Sequence, residues 1–315
     1  MVGVVGSSPI APTKFGRENK HLAETPSAFF LPVPKKYQKV GARGRRQAGR
    51  PIGLAPTKTA PLRSGYAPGL IARCYAGGMS EPTLLSSHGG GVLTLTLNRS
   101  SKLNAIDNDL AAALLEALQA ATGDAAIRVI RLRGSGRAFC AGRDVSAPPT
   151  DRDLELVQGV ASAIVRHPKP VVAAVHGWTV GAGLEWAMDA DVVVAADDAR
   201  FKLPEASLGV FVTGGLVATL PAATGLARAK ALMLLGEEFG ARQAVEWGLV
   251  YRAVPAEQLD AASLAACHRL AALEPGVVAQ FKRVLNAVGL ERFERAIEEE
   301  SNATRQLMMA MSRAR

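Results

Sequence analysis

Two uninterrupted apolar runs of strand length constrain the fold of this chain more than any other feature of its sequence. Val171–Val175 has the sequence VVAAV and Val192–Ala196 has VVVAA, and neither run alternates apolar with polar residues. Strands without polar positions are buried on both faces, which is typical of a parallel sheet with helices on each side. A glycine-rich turn and a predicted short helix lie between the two runs. The pair therefore predicts an α/β fold.

Patterns on either side of these runs extend the α/β prediction. Val92–Leu97 (VLTLTL) alternates apolar residues with threonine and predicts a half-buried strand, and Ile127–Leu132 predicts the next strand. Leucines recur every four residues from 110 to 118, after a candidate N-cap at Asp107 or Asn108, and predict a helix. Another helix is predicted at Leu154–Arg166. From about residue 222 onward the pattern is helical.

The net charge separates the chain into parts of different character. The whole sequence carries +9, but residues 1–78 hold 13 Lys and Arg against 2 Asp and Glu, which leaves residues 79–315 close to neutral. Residues 1–78 also contain 9 of the 18 prolines and 11 of the 31 glycines, a density that interrupts any regular period. We therefore predict a basic, Pro/Gly-rich leader at 1–78, an α/β core at 79–258 and a helical C-terminal region at 259–315.

Three interpretations of the leader stay open. It is sequence upstream of a natural start at Met79, a targeting or tethering segment, or a flexible arm that binds nucleic-acid phosphates through the basic run Lys39–Arg46. The near-neutral remainder and an aromatic content of 5% argue against nucleic-acid binding, since single-strand binding uses stacking aromatics. Nucleic-acid binding is kept as the alternative function of a different class.

Cysteine, histidine and hydropathy patterns exclude several other classes. The three cysteines, Cys74, Cys140 and Cys267, are far apart and form no CxxC pair, so neither a disulfide framework nor a zinc cage is predicted. A reducing, cytoplasmic location is expected. The five histidines form no HxxxH or HExxH spacing, and no metal site is predicted. The most apolar stretch, residues 170–196, contains charged residues and therefore predicts no transmembrane helix.

Two glycine-rich turns after predicted strands supply the first functional signal. They are Arg137–Asp144 (RAFCAGRD) and His176–Glu185 (HGWTVGAGLE), and the second also opens a predicted helix. Small residues let backbone N–H groups approach a ligand oxygen closely. Two such donors that converge on one carbonyl oxygen would stabilise an enolate or a tetrahedral oxyanion, although either turn alone also has a purely steric explanation. No GxGxxG, P-loop or GxSxG motif occurs, which argues against dinucleotide-binding proteins and serine hydrolases.

Five segments in order surround and include these turns: Asn98–Ala105, Arg137–Asp144, Lys169–Glu185, Phe201–Gly209 and Ala244–Val254. Together they resemble the signature of the enoyl-CoA hydratase/isomerase (crotonase) family, over about residues 84–300. The resemblance implies a spiral of repeated ββα units with a helical C-terminal extension. It also implies an acyl-CoA substrate, with coenzyme A as part of that substrate and no separate cofactor, and a homotrimer or homohexamer.

The resemblance assigns catalytic roles to two glutamates. In the hydratases of the family two glutamates flank the substrate double bond, and the matching positions are Glu185 and Glu205. Addition of water across C2=C3 of an enoyl thioester needs a base on the water, an acid at C2 and a sink for the enolate charge. We expect Glu185 to be the base and Glu205 the acid of a 2-enoyl-CoA hydratase. The alternatives are a Δ3,Δ2-enoyl-CoA isomerase or another crotonase-type lyase or hydrolase.

Binding residues follow from the same resemblance. The backbone N–H groups of Arg143 and Ala182 would bind the thioester oxygen. Ala141 and Gly181 would line the acyl-CoA channel, and Arg137 would approach the CoA phosphates.

Several positions depart from the family pattern or have a simpler interpretation. Val210–Gly215 replaces the usual Pro/Gly-rich stretch beside the acyl pocket, so the acyl group stays open. Lys282 and Arg283 are candidates for electrostatic contact with CoA. Glu298–Glu300 is expected to be a solvated helix face, and the cluster Met308, Met309 and Met311 is expected to serve helix packing or trimer contact.

Overall fold

The computed structural model describes residues 81–313, and the predicted leader at 1–78 lies outside the described residues. The described residues form an α/β fold. The strands are β1 (Leu84–Gly89), β2 (Val92–Leu97), β3 (Val129–Gly134), β4 (Ala138–Cys140), β5 (Val171–Val175), β6 (Trp178–Val180), β7 (Val192–Ala196), β8 (Arg200–Lys202), β9 (Phe239–Gly240) and β10 (Arg252–Val254). The helices are α1 (Asn108–Gly123), α2 (Asp151–Arg166), α3 (Ala182–Met188), α4 (Glu205–Leu208), α5 (Leu216–Thr224), α6 (Leu226–Leu235), α7 (Ala241–Glu246), α8 (Leu259–Ala271), α9 (Pro275–Gly289) and α10 (Phe293–Arg313).

The larger sheet has six strands in the order β1-β2-β3-β5-β7-β10, and only the β1–β2 pair is antiparallel. All five residues of β5 are buried. Val171, Ala173 and Val175 belong to the main core, together with residues of α1, α2 and α3. Val172 and Ala174 face the other way, into a second cluster that includes residues of α8. The prediction of strands buried on both faces is confirmed.

The smaller sheet, in the order β4-β6-β8-β9, shows the repeating unit of the fold. Its strands β4, β6 and β8 are parallel, and each follows a strand of the larger sheet, β3, β5 or β7. A helix follows each pair: α2, α3 and α4 respectively. The chain therefore winds through three ββα units, as the family resemblance implied. Because β4 and β6 are parallel neighbours, the turns that follow them emerge at the same edge of the sheet.

Local sequence signals place the helices that support this arrangement. The Asp107 carboxylate accepts a hydrogen bond from the Leu110 N–H and caps α1, and the predicted leucine stripe at 110, 114 and 118 is buried. The Thr150 hydroxyl and the Asp153 carboxylate form a capping box at the start of α2. The strand predicted at Ile127 begins instead at Val129, because the Ile127 N–H donates to the Asp124 carbonyl in a turn.

Asn104 holds the early motif against the first glycine-rich turn. It is fully buried in a left-handed conformation with φ 55°. Its side-chain N–H groups donate to the carbonyls of Ser135 and Ala138 at 2.8 Å each, and its carbonyl oxygen accepts from the Arg99 N–H at 2.9 Å. A buried amide with these partners satisfies backbone groups on both sides of the start of β4. The asparagine of the motif thus has a structural role.

The C-terminal part of the described chain is helical. Helix α8 covers one face of the larger sheet, and α10 packs along α5. Among residues 81–313, no helix combines the length and the apolar character that a membrane crossing requires.

Candidate active site

The two glycine-rich turns touch each other through backbone atoms. Gly142 has φ +87°, and a Cβ added there would lie 2.9 Å from the Val180 carbonyl oxygen and 3.7 Å from the Ala182 nitrogen. A Cβ on Gly183 would lie 2.6 Å from the Cys140 Cβ. Contacts this short leave no room for a side chain. Glycine at these two positions therefore allows the turn after β4 and the turn after β6 to meet.

The meeting turns present two backbone donors. Two backbone hydrogen bonds join the first turn to Ile106. The Ile106 N–H donates to the Gly142 carbonyl, and the Asp144 N–H donates to the Ile106 carbonyl, at 2.8 Å each. In such a parallel bridge the intervening residue, Arg143, directs its N–H away from the partner strand. Ala182 is the first residue of α3, where an N–H has no acceptor within the helix. Neither N–H donates to another group of residues 81–313.

One cavity of about 520 Å³ collects nearly all of the predicted site residues. Six of the seven line it: Ala141, Arg143, Gly181, Ala182, Glu185 and Glu205. The exception is Arg137, which lines a separate pocket with Trp178, Asp198 and Arg200. Arg137 precedes β4, whereas the glycine-rich turn follows it, so the strand separates the two. Its predicted contact with CoA phosphates stays a prediction.

Glu185 lines the cavity and is held by two backbone amides. It lies on α3 and is 1% exposed. Its Oε2 accepts hydrogen bonds from the N–H groups of Thr213, at 3.0 Å, and Gly214. Burial raises the pKa of Glu185 well above its usual range, and the nearby carboxylates of Glu300 and Glu205 raise it further, whereas the two N–H donors lower it.

Glu205 lines the same cavity and contacts the second turn at Gly181. It is the first residue of α4, and its Oε1 lies so close to Gly181 that a Cβ there would come within 2.6 Å. Its Oε2 is buried and has no hydrogen-bond partner among residues 81–313. Burial raises the pKa of Glu205 to about 7. A carboxyl group with such a pKa exchanges a proton readily near neutral pH.

Sequence reasoning missed the contribution of α10. The expectation of a solvated Glu298–Glu300 face is wrong for Glu300, which is fully buried and accepts hydrogen bonds from the Gly215 N–H at 2.7 Å and the Val217 N–H at 2.9 Å. Met308 and Met311 line the cavity, a placement that the sequence did not predict, and their expected part in helix packing or trimer contact stays a prediction. The inward positions of α10 recur every three or four residues, and this period places Glu300 on the inward face.

Lys282 is not available to a ligand, contrary to the expectation from its charge. It is 7% exposed, and its ammonium group donates to the Asp191 carboxylate at 2.7 Å and to the Ile164 carbonyl at 2.8 Å. A buried ammonium group is retained only with such partners. The lysine therefore holds α9 against the end of α2 and the start of β7. Arg283 is exposed and donates to the Gln280 side chain.

Acidic, histidine and cysteine side chains are the usual protein ligands of metal ions. Among residues 81–313, no group of three or more such side chains has an arrangement that could hold a metal ion. Cys140 and Cys267 are both buried free thiols. Burial raises the pKa of the Cys140 thiol to about 12, so this thiol stays protonated and is a poor nucleophile.

Comparison with known proteins identifies the family. A family model described as enoyl-CoA hydratase/isomerase matches residues 87–313. The chain belongs to the enoyl-CoA hydratase/isomerase (crotonase) family, and it is an enzyme of the acyl-CoA hydratase/isomerase class. The match covers both glycine-rich turns and both cavity glutamates.

Individual relatives agree with the family match. The chain is 39% identical to the 1,2-epoxyphenylacetyl-CoA isomerase of Escherichia coli K12 over 196 aligned residues. The aligned region covers 59% of this chain and 75% of the relative. It is 35% identical over 240 residues to a probable enoyl-CoA hydratase of Rhizobium meliloti, spanning 72% and 92%. A crystal structure of an enoyl-CoA hydratase from Mycobacterium avium subsp. paratuberculosis superposes with a TM-score of 0.70 at 31% identity, covering 73% of this chain and 95% of the other.

The raised pKa of Glu205 predicts a pH-dependent cost to stability. The folded protein holds the Glu205 proton up to about pH 7, whereas the unfolded chain releases it near the ordinary value of 4.5. The free energy of unfolding therefore falls as the pH rises between these values. Glu205→Gln cannot ionise, so its stability relative to the wild type should increase over this interval, by up to about 3 kcal/mol.

Urea unfolding of both proteins at pH 5 and pH 8 measures this difference. Buried carboxyls that do not interact with Glu205 are common to the two proteins and cancel. The effect on Glu185 has the same sign as the effect of Glu205 itself, because Glu205→Gln also removes a charge that raises the pKa of Glu185. Glu298→Gln, an exposed substitution on α10, is the matched control for the loss of one acidic group. A stability difference that is equal at the two pH values would contradict the burial of an ionisable Glu205.

Proposed function

We propose that the protein is a 2-enoyl-CoA hydratase in which Glu185 and Glu205 divide the proton transfers. The observation that carries this proposal is that both carboxyl groups, on different elements, line one cavity together with Arg143 and Ala182. The N–H groups of these two residues donate to no other group in the described part of the chain. Two acid–base groups and two oxyanion donors are what the addition of water to an enoyl thioester requires.

The proposed reaction begins with water on the Glu185 side of the double bond. Glu185, as carboxylate, takes a proton from the water while the oxygen bonds to C3. The π electrons of C2=C3 move toward the thioester carbonyl, and the resulting enolate oxygen accepts hydrogen bonds from the Arg143 and Ala182 N–H groups. Each such donor contributes about 3–4 kcal/mol to the stabilisation of this charge in comparable enzymes.

Glu205 completes the addition. In its protonated form it donates its proton to C2, and the enolate electrons form the C2–H bond as the thioester carbonyl is restored. Glu205 is then anionic and Glu185 protonated, and proton exchange with solvent or product restores both groups. The pKa of Glu205 near 7 supports this role, because both of its protonation states are accessible at neutral pH.

Hydrogen bonds to Glu185 distinguish its two oxygens. Oε2 is held by the Thr213 and Gly214 amides, while Oε1 has only a longer 3.3 Å contact with the Thr213 N–H. Oε1 is therefore the oxygen that we assign to proton transfer. The two amides on Oε2 favour the carboxylate form against the effect of burial.

Isomerisation is the second candidate, because the matching family includes isomerases. The Escherichia coli relative is also an isomerase, but its name gives an epoxide and not a 3-enoyl-CoA as its substrate. A Δ3,Δ2-enoyl-CoA isomerase moves one proton between two carbons and needs one base rather than two acid–base groups. The oxyanion donors would serve it equally. Other crotonase-type lyase or hydrolase reactions would share those donors as well.

Substitution of the two glutamates separates the candidates. Glu205→Gln and Glu185→Gln should each lower the hydration rate by about 10²- to 10⁴-fold, because each removes one proton transfer. Loss of the ultraviolet absorbance of crotonyl-CoA measures hydration, and conversion of a 3-enoyl-CoA measures isomerisation. Full hydration activity in Glu205→Gln would contradict the acid role. Retained 3-enoyl turnover in Glu185→Gln, with no hydration by the wild type, would favour the isomerase.

The acyl part of the proposed substrate is apolar. Leu208, Val210 and Phe211 line the cavity beyond Glu205, and Leu307, Met308 and Met311 of α10 also line it. The cationic side chain in the lining, Arg143, is engaged with the Ala147 carbonyl at 2.8 Å. An aliphatic or aryl acyl group would bury apolar surface there, whereas a charged end would lose its hydration without a partner.

A charged acyl end should therefore be disfavoured. We expect kcat/KM for a six-carbon 2-enoyl-CoA with a terminal carboxylate to be lower than for hexenoyl-CoA by at least roughly tenfold, because burial of an unpaired carboxylate is costly. The methyl ester of the same acyl chain, which has no charge, is the control for length. Preference for the carboxylate over the ester would contradict an apolar pocket.

The partners in this proposal are the acyl-CoA substrate and further copies of the chain. No separate cofactor is proposed, since coenzyme A enters with the substrate, and the cytoplasmic location rests on the sequence alone.

Helix α9 carries an apolar stripe of half-exposed or exposed residues: Val277, Phe281, Val284, Leu285 and Val288. A stripe of this size usually marks a protein interface, and we propose contact with another copy in a homotrimer or homohexamer.

Light scattering of the purified chain tests the assembly. We expect the mass of three or six chains, and dissociation on Phe281→Glu, because a charge on the apolar stripe would be buried in the interface. Glu298→Gln is again the control. A monomeric mass at micromolar concentration would contradict the proposal.

A further inference from the structure

Helix α10 contacts the site through the buried carboxylate of Glu300. Glu300 Oε2 accepts from the Gly215 N–H at 2.7 Å, and Oε1 accepts from the Val217 N–H at 2.9 Å. Gly215 is the N-cap of α5, and these two amides belong to its first turn, where backbone donors lack helical acceptors. Glu300 thus caps α5 from another helix, about 85 residues later in the sequence.

The backbone segment 213–217 binds both glutamates, Glu185 at its N-terminal end and Glu300 at its C-terminal end. The amides of Thr213 and Gly214 donate to Glu185, and those of Gly215 and Val217 donate to Glu300. Packing leaves this segment, residues 213–217, little freedom. A Cβ on Gly214 would lie 2.6 Å from Glu185 Oε2, and a Cβ on Gly215, which has φ +82°, would overlap the Phe293 ring of α10.

We propose that Glu300 is a positioning residue for the reaction, which anchors the 213–217 segment so that its amides hold the Glu185 carboxylate in the orientation for proton transfer. The proposal rests on the proposed role of Glu185 as base. Glu300 does not line the cavity, so it acts through the segment and not on the substrate. A carboxylate suits this role because it accepts two amide hydrogen bonds at once.

Charge adds a second, measurable link between Glu300 and Glu185. The ionisable groups around Glu185 are Glu205 from α4, Glu300 from α10 and Asp189, the C-cap of α3, with Lys282 from α9 acting on Asp189. Glu300 raises the pKa of Glu185, second only to burial. Burial also raises the pKa of Glu300 itself to about 7. Loss of the Glu300 charge should therefore lower the pKa of Glu185.

Two substitutions separate alignment from charge. Glu300→Ala removes both acceptors, so the segment loses its anchor, and we expect kcat to fall by about 10- to 100-fold with little change in KM. Glu300→Gln keeps the shape and one acceptor but cannot ionise. It should lower the pKa of Glu185 and move the acidic limb of the kcat/KM profile to lower pH, because the base needs its ionised form. Glu298→Gln, an exposed glutamate on the same helix, should change neither quantity.

A purely structural role predicts another outcome. If Glu300→Ala and Glu300→Gln lower the melting temperature but leave kcat and the pH profile of the folded enzyme unchanged, the positioning role is overturned.

Amide hydrogen exchange of the full chain, measured over residues 213–217, distinguishes failure of this proposal from failure of the proposed function. Faster exchange at Thr213 and Gly214 in Glu300→Ala than in the wild type supports the anchoring, even if the wild type hydrates no enoyl-CoA. Unchanged exchange there overturns the anchoring, whatever reaction the enzyme performs.

Discussion

The contact between two glycine-containing turns is the constraint on which the rest of the site depends. Gly142 and Gly183 leave no room for side chains between the turns, so backbone meets backbone. This contact exists because β4 and β6 are parallel neighbours whose following turns lie at one edge of the small sheet. It leaves the Arg143 and Ala182 N–H groups at one cavity wall, without an acceptor among residues 81–313. A larger residue at either glycine would separate the two donors.

The buried carboxyl groups near this cavity wall lower the stability of the fold. Glu185 and Glu300 are compensated by backbone donors of the 213–217 segment, whereas both oxygens of Asp189 are buried without a hydrogen-bond partner among residues 81–313. Burial raises the pKa of all three groups, Asp189 included. Removal of several like charges from water destabilises the fold. Proteins retain such an arrangement where proton chemistry needs shifted pKa values.

Much of the α/β core could be predicted from local patterns. The apolar runs of β5 and β7 and the capped leucine stripe of α1 lie where their sequences indicate, and the chain from Leu259 onward is helical as predicted. These features depend on residues close together in the chain, so their signals survive in the sequence. The helical pattern expected from about residue 222 missed the short strands β9 and β10. The ββα repeat gives no sequence period, because its units have helices of different lengths and share only their path through the two sheets.

The sequence by itself determined the family, the parallel strands buried on both faces, and six residues that line one cavity. Only the tertiary structure decided that Glu300 is buried beside the site, that Lys282 pairs with Asp191, and that Met308 and Met311 line the cavity. The physical reason is distance along the chain. Whether a charged side chain is exposed or buried depends on the residues that pack against it. The hydrogen-bond partners of Glu300 and Lys282 lie 83 to 118 residues away in the sequence.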